Sequence, residues 1–205
     1  MLTKRCRLRW VKKKIFIFGC GGHARSCIDV INSTKLYDIA SIVYNEKPPK
    51  INFFFQYKLI KENNLKQKYQ NVNAIIGVGQ IKDNSSRKKL FDLCIKKKFN
   101  LDPICSSNSH ISVSSKIGLG TIVMHFVMIG PASEIGSNCI INSGSIIEHD
   151  VSIGNHCHIS PGCILNGGVK IGNDSFIGSG TVIKEGVVVK PGSIIPMGSI
   201  VRSNV

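Results

Sequence analysis

One hydrophobic pattern runs through the second half of the chain, where a branched aliphatic residue occupies every sixth position. The sixteen positions are Ile111, Ile117, Val123, Ile129, Ile135, Ile141, Ile147, Ile153, Ile159, Leu165, Ile171, Ile177, Ile183, Val189, Ile195 and Val201. A small residue generally stands two places before each aliphatic, and Gly often follows it. A fixed short period of this kind indicates a solenoid. Six residues are too few for a pair of helices and predict a short strand followed by a tight corner.

Three such strands can close a triangular coil of about eighteen residues, and successive coils would stack at ~4.8 Å, the spacing of paired strands. We therefore predict that residues 109–203 form a parallel β-helix with the aliphatic side chains inside. Ordinary sandwich strands are the alternative, but they vary in length and would lose this register. Cys139, Cys157 and Cys163 occupy the small-residue slot, where a thiol acts as a small hydrophobe.

The first half of the chain predicts a different, Rossmann-like α/β domain over residues 13–103. The predicted elements are strands at 15–18, 39–44 and 74–78, and helices that begin at Ala24 and Arg87. Alternation of strands and helices favours a parallel sheet. Residues 104–108 are expected to link this domain to the coil domain, 104–205, and residues 1–12 form a basic extension.

Ligands of parallel sheets bind at the carboxyl ends of the strands. The residues expected at those ends are Gly21, Gly22, His23, Asn45, Glu46 and Gly79. The Gly19–Gly22 turn leads into a helix N-terminus, which can offer main-chain N–H groups to a phosphate. The match to the dinucleotide-binding pattern is incomplete, because Ala24 stands where its third Gly would lie.

The charge and composition of the chain bear on whether it binds nucleic acid, a membrane or a small ligand. The 205 residues carry a net charge of +15, which raises the possibility of nucleic-acid binding. The basic residues concentrate in 4–14, 58–68 and 87–98, the last with apolar residues at helical spacing, and few aromatics lie among them. The lysines of that helix are therefore predicted to be solvated, and the same field would suit a phosphate-rich small ligand. No apolar run is long enough to span a membrane, and the start lacks a secretory signal, so a cytoplasmic protein is expected.

One hexad carries candidate chemistry, because Glu148, His149 and Asp150 follow the inward Ile147. A histidine can act as a general base near neutral pH, and an adjacent carboxylate can fix its tautomer and raise its basicity. The alternative is a solvated corner histidine without a role. A second histidine, His158, follows nine residues later. No metal site is expected, since the eight cysteines contain no Cys-x-x-Cys pair and no zinc spacing.

The segments KKIFIFGCGGHA, IIGVG with the later Arg87, and INSGSIIEHDVSIGNHCHIS together resemble a bacterial family of hexapeptide-repeat sugar acetyltransferases. That family includes UDP-amino-sugar N-acetyltransferases and sialic-acid O-acetyltransferases. The resemblance covers residues 13 to about 200, and it implies a left-handed β-helix, acetyl-CoA as co-substrate and a homotrimer. Two features depart from the family pattern: Asn45-Glu46 where two acids are common, and the lack of a Gly-x-Pro-Ala tail.

By position, the resemblance implies His149 as the proton acceptor and Asp150 as the acid that raises its basicity. It implies that His158, Ser179 and Met197 contact acetyl-CoA and that the Gly167 N–H meets the acetyl oxygen. The nucleotide sugar would bind the residues named above at the strand ends. The sequence leaves open whether Glu148 or Asp150 supports His149.

The function expected is direct acetyl transfer to a sugar, in first place to the amine of a nucleotide-linked amino sugar in surface glycan biosynthesis. O-acetylation of sialic acid or a related nonulosonic acid is the alternative. A γ-type carbonic anhydrase would share the coil, but no two histidines here have the spacing of its close zinc-binding pair. A structural or nucleic-acid-binding solenoid would not need the Glu148–Asp150 hexad. The expected partner is therefore a small sugar substrate, with no nucleic acid and no membrane segment.

Overall fold

The structure, a computed structural model, describes residues 12–45, 47–48, 54, 56–65, 69–81 and 83–205. All but the last residue of the predicted basic extension 1–12 lies outside these described residues, as does Glu46. Within the described ranges, no helix is both long enough and apolar enough to cross a membrane.

The N-terminal region forms a four-stranded parallel sheet with two helices. Its elements are β1 (Lys13–Phe18), α1 (Gly22–Thr34), β2 (Tyr37–Tyr44), β3 (Leu59–Lys61), a 3₁₀ turn (Glu62–Asn64), β4 (Asn73–Ile76) and α2 (Ser85–Lys96). The strand order is β3-β2-β1-β4, and every pair is parallel. Residues 15–18 of β1 are all buried, as expected for a strand covered on both faces. The predicted α/β fold is confirmed, and β3 is a strand that the sequence pattern did not indicate.

The C-terminal region is a left-handed parallel β-helix of two-residue strands. The strands are β5 (Ile104–Cys105), β6 (His110–Ile111), β7 (Lys116–Ile117), β8 (Ile122–Val123), β9 (Met128–Ile129), β10 (Glu134–Ile135), β11 (Ile140–Ile141), β12 (Ile146–Ile147), β13 (Ser152–Ile153), β14 (His158–Ile159), β15 (Ile164–Leu165), β16 (Lys170–Ile171), β17 (Phe176–Ile177), β18 (Val182–Ile183), β19 (Val188–Val189), β20 (Ile194–Ile195) and β21 (Ile200–Val201). In each strand the second residue points into the coil, so all sixteen predicted aliphatics share one interior cluster. The hexad prediction is confirmed.

Three flat sheets form the sides of the coil. Face one consists of β5, β8, β11, β14, β17 and β20, face two of β6, β9, β12, β15, β18 and β21, and face three of β7, β10, β13, β16 and β19. We call the edge between faces one and two the first corner, between faces two and three the second corner, and between faces three and one the third corner. Each corner is therefore opposite one face.

The coil begins earlier than the sequence pattern indicated. Residues Ile104 and Cys105 were expected in a linker, yet they pair with Ile122 and Val123 as the first strand of face one. The reason is tertiary, because Ile104 points outward and is buried in the same apolar cluster as Ile28 of α1. The three lowest outward residues of face one are all buried in this cluster: Ile104, Ile122 and Ile140. The N-terminal domain thus docks on face one through an apolar contact.

Arg87 lies at the centre of this docking. The sequence placed it at the start of a helix with a solvated basic face, but its side chain is completely buried. Its guanidinium donates to the main-chain carbonyls of Ile76, Val78, Gly120, Asn138 and Cys139, at distances of 2.7–3.5 Å. Two of these carbonyls belong to the N-terminal domain and three to the coil. One cation therefore satisfies main-chain acceptors on both sides of the interface.

We expect Arg87→Ala to lower the free energy of unfolding by about 3 kcal/mol, because it leaves buried carbonyls without donors and opens a cavity. Chemical denaturation followed by circular dichroism would measure this change. Lys89→Ala is the matched control, since Lys89 lies on the same helix and is exposed. Equal denaturation midpoints for the two variants would show that Arg87 does not hold the domains together.

Candidate active site

His149 and Asp150 form an exposed pair at the second corner. His149 Nδ1 lies 2.8 Å from Asp150 Oδ2, and about 60% of each side chain is accessible. Asp150 has the left-handed φ of 59° that the corner requires, and its N–H donates to the Pro131 carbonyl. The carboxylate at Nδ1 holds that proton, so Nε2 is left as the basic nitrogen facing solvent. Asp150, and not Glu148, is thus the acid in contact with His149.

Gly167 lies in the next coil directly against the His149 ring. A Cβ at Gly167 would fall 2.6 Å from both Cε1 and Nε2 of His149, far inside van der Waals contact. Only glycine leaves room for the imidazole in this orientation. The structure therefore brings together His149, Asp150 and Gly167 as predicted, although the oxyanion role of the Gly167 N–H stays a prediction.

His158 occupies a different environment on face one. Its side chain points outward from the coil, but the loop after β4 covers it and leaves only 8% exposed. Nδ1 lies 2.5 Å from the Gln80 carbonyl, and Nε2 lies 3.2 Å from Asn142 Nδ2. The Phe176 ring packs edge-on against the imidazole, with centroids 5.3 Å apart. His158 is thus held on three sides by both domains.

Burial keeps two histidines of this junction neutral. It lowers the pKa of His158 to about 4, and the positive charge of Arg87 acts in the same direction, while the Gln80 carbonyl opposes it. It lowers the pKa of His23 to about 3, again with Arg87 and then His158 as further causes. Neither imidazole carries a charge near neutral pH.

The residues expected to hold a nucleotide sugar gather at the carboxyl edge of the sheet. Gly21 is the N-cap of α1 and Gly22 its first residue, and a Cβ at Gly21 would meet nothing within 4 Å. A Cβ at Gly79 would lie 3.5 Å from the His23 Cβ, so the β1 and β4 loops meet. Asn45 follows the neighbouring strand and is exposed, whereas Glu46 lies outside the described residues. The edge offers an open N–H-rich surface at a helix N-terminus.

The structure also explains how this turn manages without a third glycine. A Cβ on Gly77 would lie 3.0 Å from the Ala24 Cβ and 2.9 Å from Ile17. In the dinucleotide-binding pattern, a glycine on the helix lets the helix pack close to the sheet. Here Gly77, just after the neighbouring strand, leaves that space instead. The Ala24 departure therefore does not disturb the turn.

Ser179 and Met197 lie at the first corner, stacked in one column. Gly198 N donates to the Ser179 carbonyl at 2.8 Å, which places Met197 one coil above Ser179. Both residues are exposed, and Met197 retains 80% of its accessible surface. Asn142, which contacts His158, begins the same corner two coils below Ser179. The residues assigned to acetyl-CoA by resemblance thus run from face one along the first corner.

Two predicted site residues, His149 and His158, do not lie close together within a single chain. His149 is on the second corner and His158 on face one, which is the side of the coil opposite that corner. The aliphatic core fills the interior between them. The candidate site is therefore divided between two sides of the protein.

Gln80 and Asn142 are contacts of His158 that the sequence analysis missed. Neither belongs to a recognisable motif. Gln80 meets His158 because the N-terminal domain docks on face one, whereas Asn142 meets it through the stacking of neighbouring coils. Within the described part of the chain, no group of three or more His, Cys, Asp or Glu side chains is placed to hold a metal ion.

Comparison with known proteins gives matches for both regions. The PglD N-terminal domain family matches residues 14–93, and the bacterial transferase hexapeptide (six repeats) matches residues 133–167 and 150–185. A search of curated proteins finds no match.

Solved structures match nearly the full length of the chain. The acetyltransferase domain of PglB from Neisseria gonorrhoeae, also solved with acetyl coenzyme A, is 22% identical with a TM-score of 0.84, over 95% of this chain and 93% of that one. PerB from Caulobacter crescentus, in complex with CoA and GDP-perosamine, is 26% identical with a TM-score of 0.81, over 93% and 90%. A variant of perosamine N-acetyltransferase from the same organism, with the same ligands, is 27% identical with a TM-score of 0.83 over the same shares.

The depressed histidine pKa values predict a pH dependence of stability. An unfolded histidine binds a proton near pH 6.5, whereas His158 in the folded protein does so only near pH 4, so the unfolded chain binds more protons between these values. The free energy of unfolding should therefore fall as the pH decreases from about 7.5 to about 5, and His158→Gln should reduce this fall by about 2 kcal/mol. Urea titrations at about pH 7.5 and about pH 5 would measure the free energy of unfolding of each variant. His110→Gln, at an exposed histidine, is the control, and an equal reduction in both variants would contradict the assignment.

Proposed function

This chain is a member of the bacterial sugar acetyltransferase family of hexapeptide-repeat proteins, and from that membership we propose that it transfers the acetyl group of acetyl-CoA to the amine of a nucleotide-linked amino sugar. The observation that carries the proposal is the His149–Asp150 pair, exposed at a coil corner with its free nitrogen against Gly167. A solvated corner histidine without a role would need neither the carboxylate nor the glycine. The product would serve surface glycan biosynthesis.

The mechanism is direct transfer. His149 Nε2 accepts a proton from the amine as the nitrogen attacks the thioester carbonyl, while Asp150 stabilises the imidazolium that forms. The Gly167 N–H is proposed to donate to the developing oxyanion. The C–S bond then breaks, and His149 returns the proton to the departing CoA thiolate. Cys157 is a poor nucleophile for a covalent route, because its thiol points inward and its hydrogen bond with Cys139, together with burial, raises its pKa.

A nucleotide-linked acceptor is favoured by the open turn at the N-terminus of α1. Gly21 and Gly22 lie at the N-terminus of α1, where main-chain N–H groups suit phosphate oxygens, and an added Cβ at Gly21 would meet nothing within 4 Å. The perosamine N-acetyltransferase relative, which binds GDP-perosamine in its complex, supports the same substrate class. A hydroxyl of a sialic or related nonulosonic acid is the second candidate, since the His149 corner would serve either acceptor.

Acetyl-CoA is proposed to bind beside His158 and along the first corner, past Ser179 and Met197. Phe176 and Ile194 give this side of the coil an apolar strip, and 55% of the Ile194 surface is accessible. Such a strip suits the pantetheine arm, while the exposed corner glycines leave the main chain approachable.

The divided site requires a second copy of the chain, so we propose a homotrimer with shared active sites. Face two carries an outward column of apolar residues that the described part of the chain leaves partly or fully accessible: Met128, Ile146, Ile164, Val182 and Ile200. If face two turns toward a three-fold axis, the second corner of one copy lies beside the first corner of the next. His149 of one subunit then meets Asn142 and His158 of its neighbour. In the proposed trimer, the two parts of the site that one chain holds on opposite sides would lie next to each other.

The acceptor class can be tested with acetyl-CoA and a panel of UDP-, GDP- and CMP-linked amino sugars and free sialic acids, following thiol release. We expect turnover with a nucleotide-linked amino sugar. His149→Ala should lower kcat by about 10²–10⁴-fold, and Asp150→Asn should lower it less because the imidazole remains.

The oligomer and its denaturation midpoint should be unchanged in both variants, because neither change touches the aliphatic core or the apolar column of face two that is proposed to join the copies. Turnover restricted to free sialic acids would favour the second candidate. Near-wild-type kcat for His149→Ala with every acceptor would reject the corner as the catalytic site.

The shared site predicts complementation between inactive variants. A Gly21→Val/His158→Ala double variant damages the face-one side of the site, and His149→Ala removes the corner side. In an even mixture, about a quarter of the sites should combine an unaltered face one from one subunit with an unaltered second corner from its neighbour. The mixture should therefore recover about a quarter of the wild-type activity.

Mixing His149→Ala with Gly167→Val is the matched control, since both changes lie at the second corner and no intact corner can form from either. Differently tagged subunits would verify that mixed oligomers exist. Mixed oligomers without activity in the first combination, or with activity in the second, would contradict a site shared between subunits.

A further inference from the structure

The hydrogen bonds around His158 form a chain whose direction is fixed at both ends. At one end, the Ser143 N–H donates to Asn142 Oδ1 at 2.9 Å. The Asn142 amide nitrogen then faces His158 Nε2 at 3.2 Å. At the other end, His158 Nδ1 lies 2.5 Å from the Gln80 carbonyl. Main-chain groups, which cannot change their role, terminate the chain on each side.

Each link in this chain permits only one arrangement of protons. A carbonyl oxygen only accepts, so Nδ1 of His158 carries the proton that lies toward Gln80. The neutral imidazole has one proton, so Nε2 is an acceptor. The contacts of Asn142 fit this arrangement. Its Oδ1 accepts the Ser143 N–H, so its NH₂ group is free to donate to Nε2 of His158. His158 therefore presents a lone pair, and not a donor, toward the first corner.

The Gln80 carbonyl is in turn held in place by contacts across the domain interface. The Gln80 side-chain amide donates to the His156 carbonyl at 2.8 Å, and the residue is buried. Arg87 donates to the carbonyls of Ile76 and Val78, at 2.7 and 2.9 Å, at the start of the same loop. The loop of residues 77–81 is thus fixed to the coil immediately beside His158.

We propose that Gln80 is a positioning residue that selects the Nδ1-protonated tautomer of His158, so that Nε2 is ready to accept an N–H group of the acetyl donor. The amide N–H groups of a pantetheine arm have this chemistry, whereas the thioester oxygen would need a donor. Buried Nε2 is served by Asn142 until such a ligand arrives. The ligand part of this inference rests on the proposed function, and the tautomer part does not.

The placement also links the two halves of the site. Gly79, adjacent to Gln80, lies against His23 in the proposed sugar-phosphate region.

Histidine-selective ¹⁵N and ¹³C labelling tests the tautomer. The chain has six histidines, and the His158 signal is identified by its loss in His158→Gln. Wild-type protein should show His158 protonated on Nδ1 at neutral pH. Gln80→Ala should give a mixture of tautomers, because the side chain that anchors the carbonyl is gone. Gln80→Met, which keeps the volume but removes the donor, replaces it if Gln80→Ala does not fold.

Asn84→Ala is the matched control. Asn84 donates to Asp174 across the same interface at 2.7 Å and reaches the His156 carbonyl only at 3.5 Å, so its loss weakens docking while the shorter Gln80–His156 bond and the Gln80–His158 contact stay in place. The control should keep the wild-type tautomer. A proton on Nε2 in the wild type, an unchanged tautomer in both Gln80 variants, or the same change in Asn84→Ala would each overturn the proposal.

Steady-state kinetics provide the second readout. The Gln80 variant should raise the KM for acetyl-CoA about 3–10-fold, the usual effect of one hydrogen bond, while Asn84→Ala leaves it unchanged. An unchanged KM in the Gln80 variant would overturn the ligand part. If the wild-type protein has no acetyltransferase activity, the proposed function fails, and the spectra still decide whether Gln80 sets the tautomer.

Discussion

The rest of this structure depends on one buried cation, the Arg87 guanidinium at the interface between the two domains. A cation removed from water is strongly unfavourable unless its donors are satisfied, and Arg87 satisfies them with main-chain carbonyls from both domains. Arginine suits this position because its planar fork can reach several acceptors at once. The N-terminal domain and the coil are consequently fixed as one unit at this point.

From this fixed junction follow the properties of the nearby histidines. The docked loop buries His158 and supplies its carbonyl partner, and the charge of Arg87 helps to keep both His158 and His23 neutral. His149, on the far side of the coil, is instead solvated and paired with a carboxylate. Two histidines nine residues apart thus have opposite environments, one suited to accepting a proton and the other to fixed hydrogen bonding.

The β-helix supplies the reason for this contrast. A rigid triangular coil presents successive hexads on different sides, so residues close in sequence are held apart while residues eighteen positions apart stack. Gly167 lies against His149 through this stacking, and His158 lies near Asn142 through it as well. The same rigidity prevents one chain from closing the site around a substrate. The proposed association of copies through the apolar face two would bring the second corner of one copy beside the first corner of another.

The sequence by itself determined the coil, because a repeat of six with an aliphatic inside leaves only one way to bury the apolar residues. It also determined the strand–turn–helix unit and indicated the His149 hexad as a candidate for chemistry, since both depend on residues adjacent in the chain. Whether Glu148 or Asp150 contacts His149 required the corner geometry, in which the left-handed Asp150 turns its carboxylate onto the ring.

Only the tertiary structure decided how the two domains meet. The pattern around Arg87 predicts a solvated basic helix face, yet docking buries that one side chain and leaves the exposed Lys89 as expected. The same docking makes Ile104 part of the coil and makes Gln80 a partner of His158. These contacts join residues up to 78 positions apart and follow no local period. Their energies arise from burial and hydrogen bonding between surfaces, which the order of residues along a single segment does not encode.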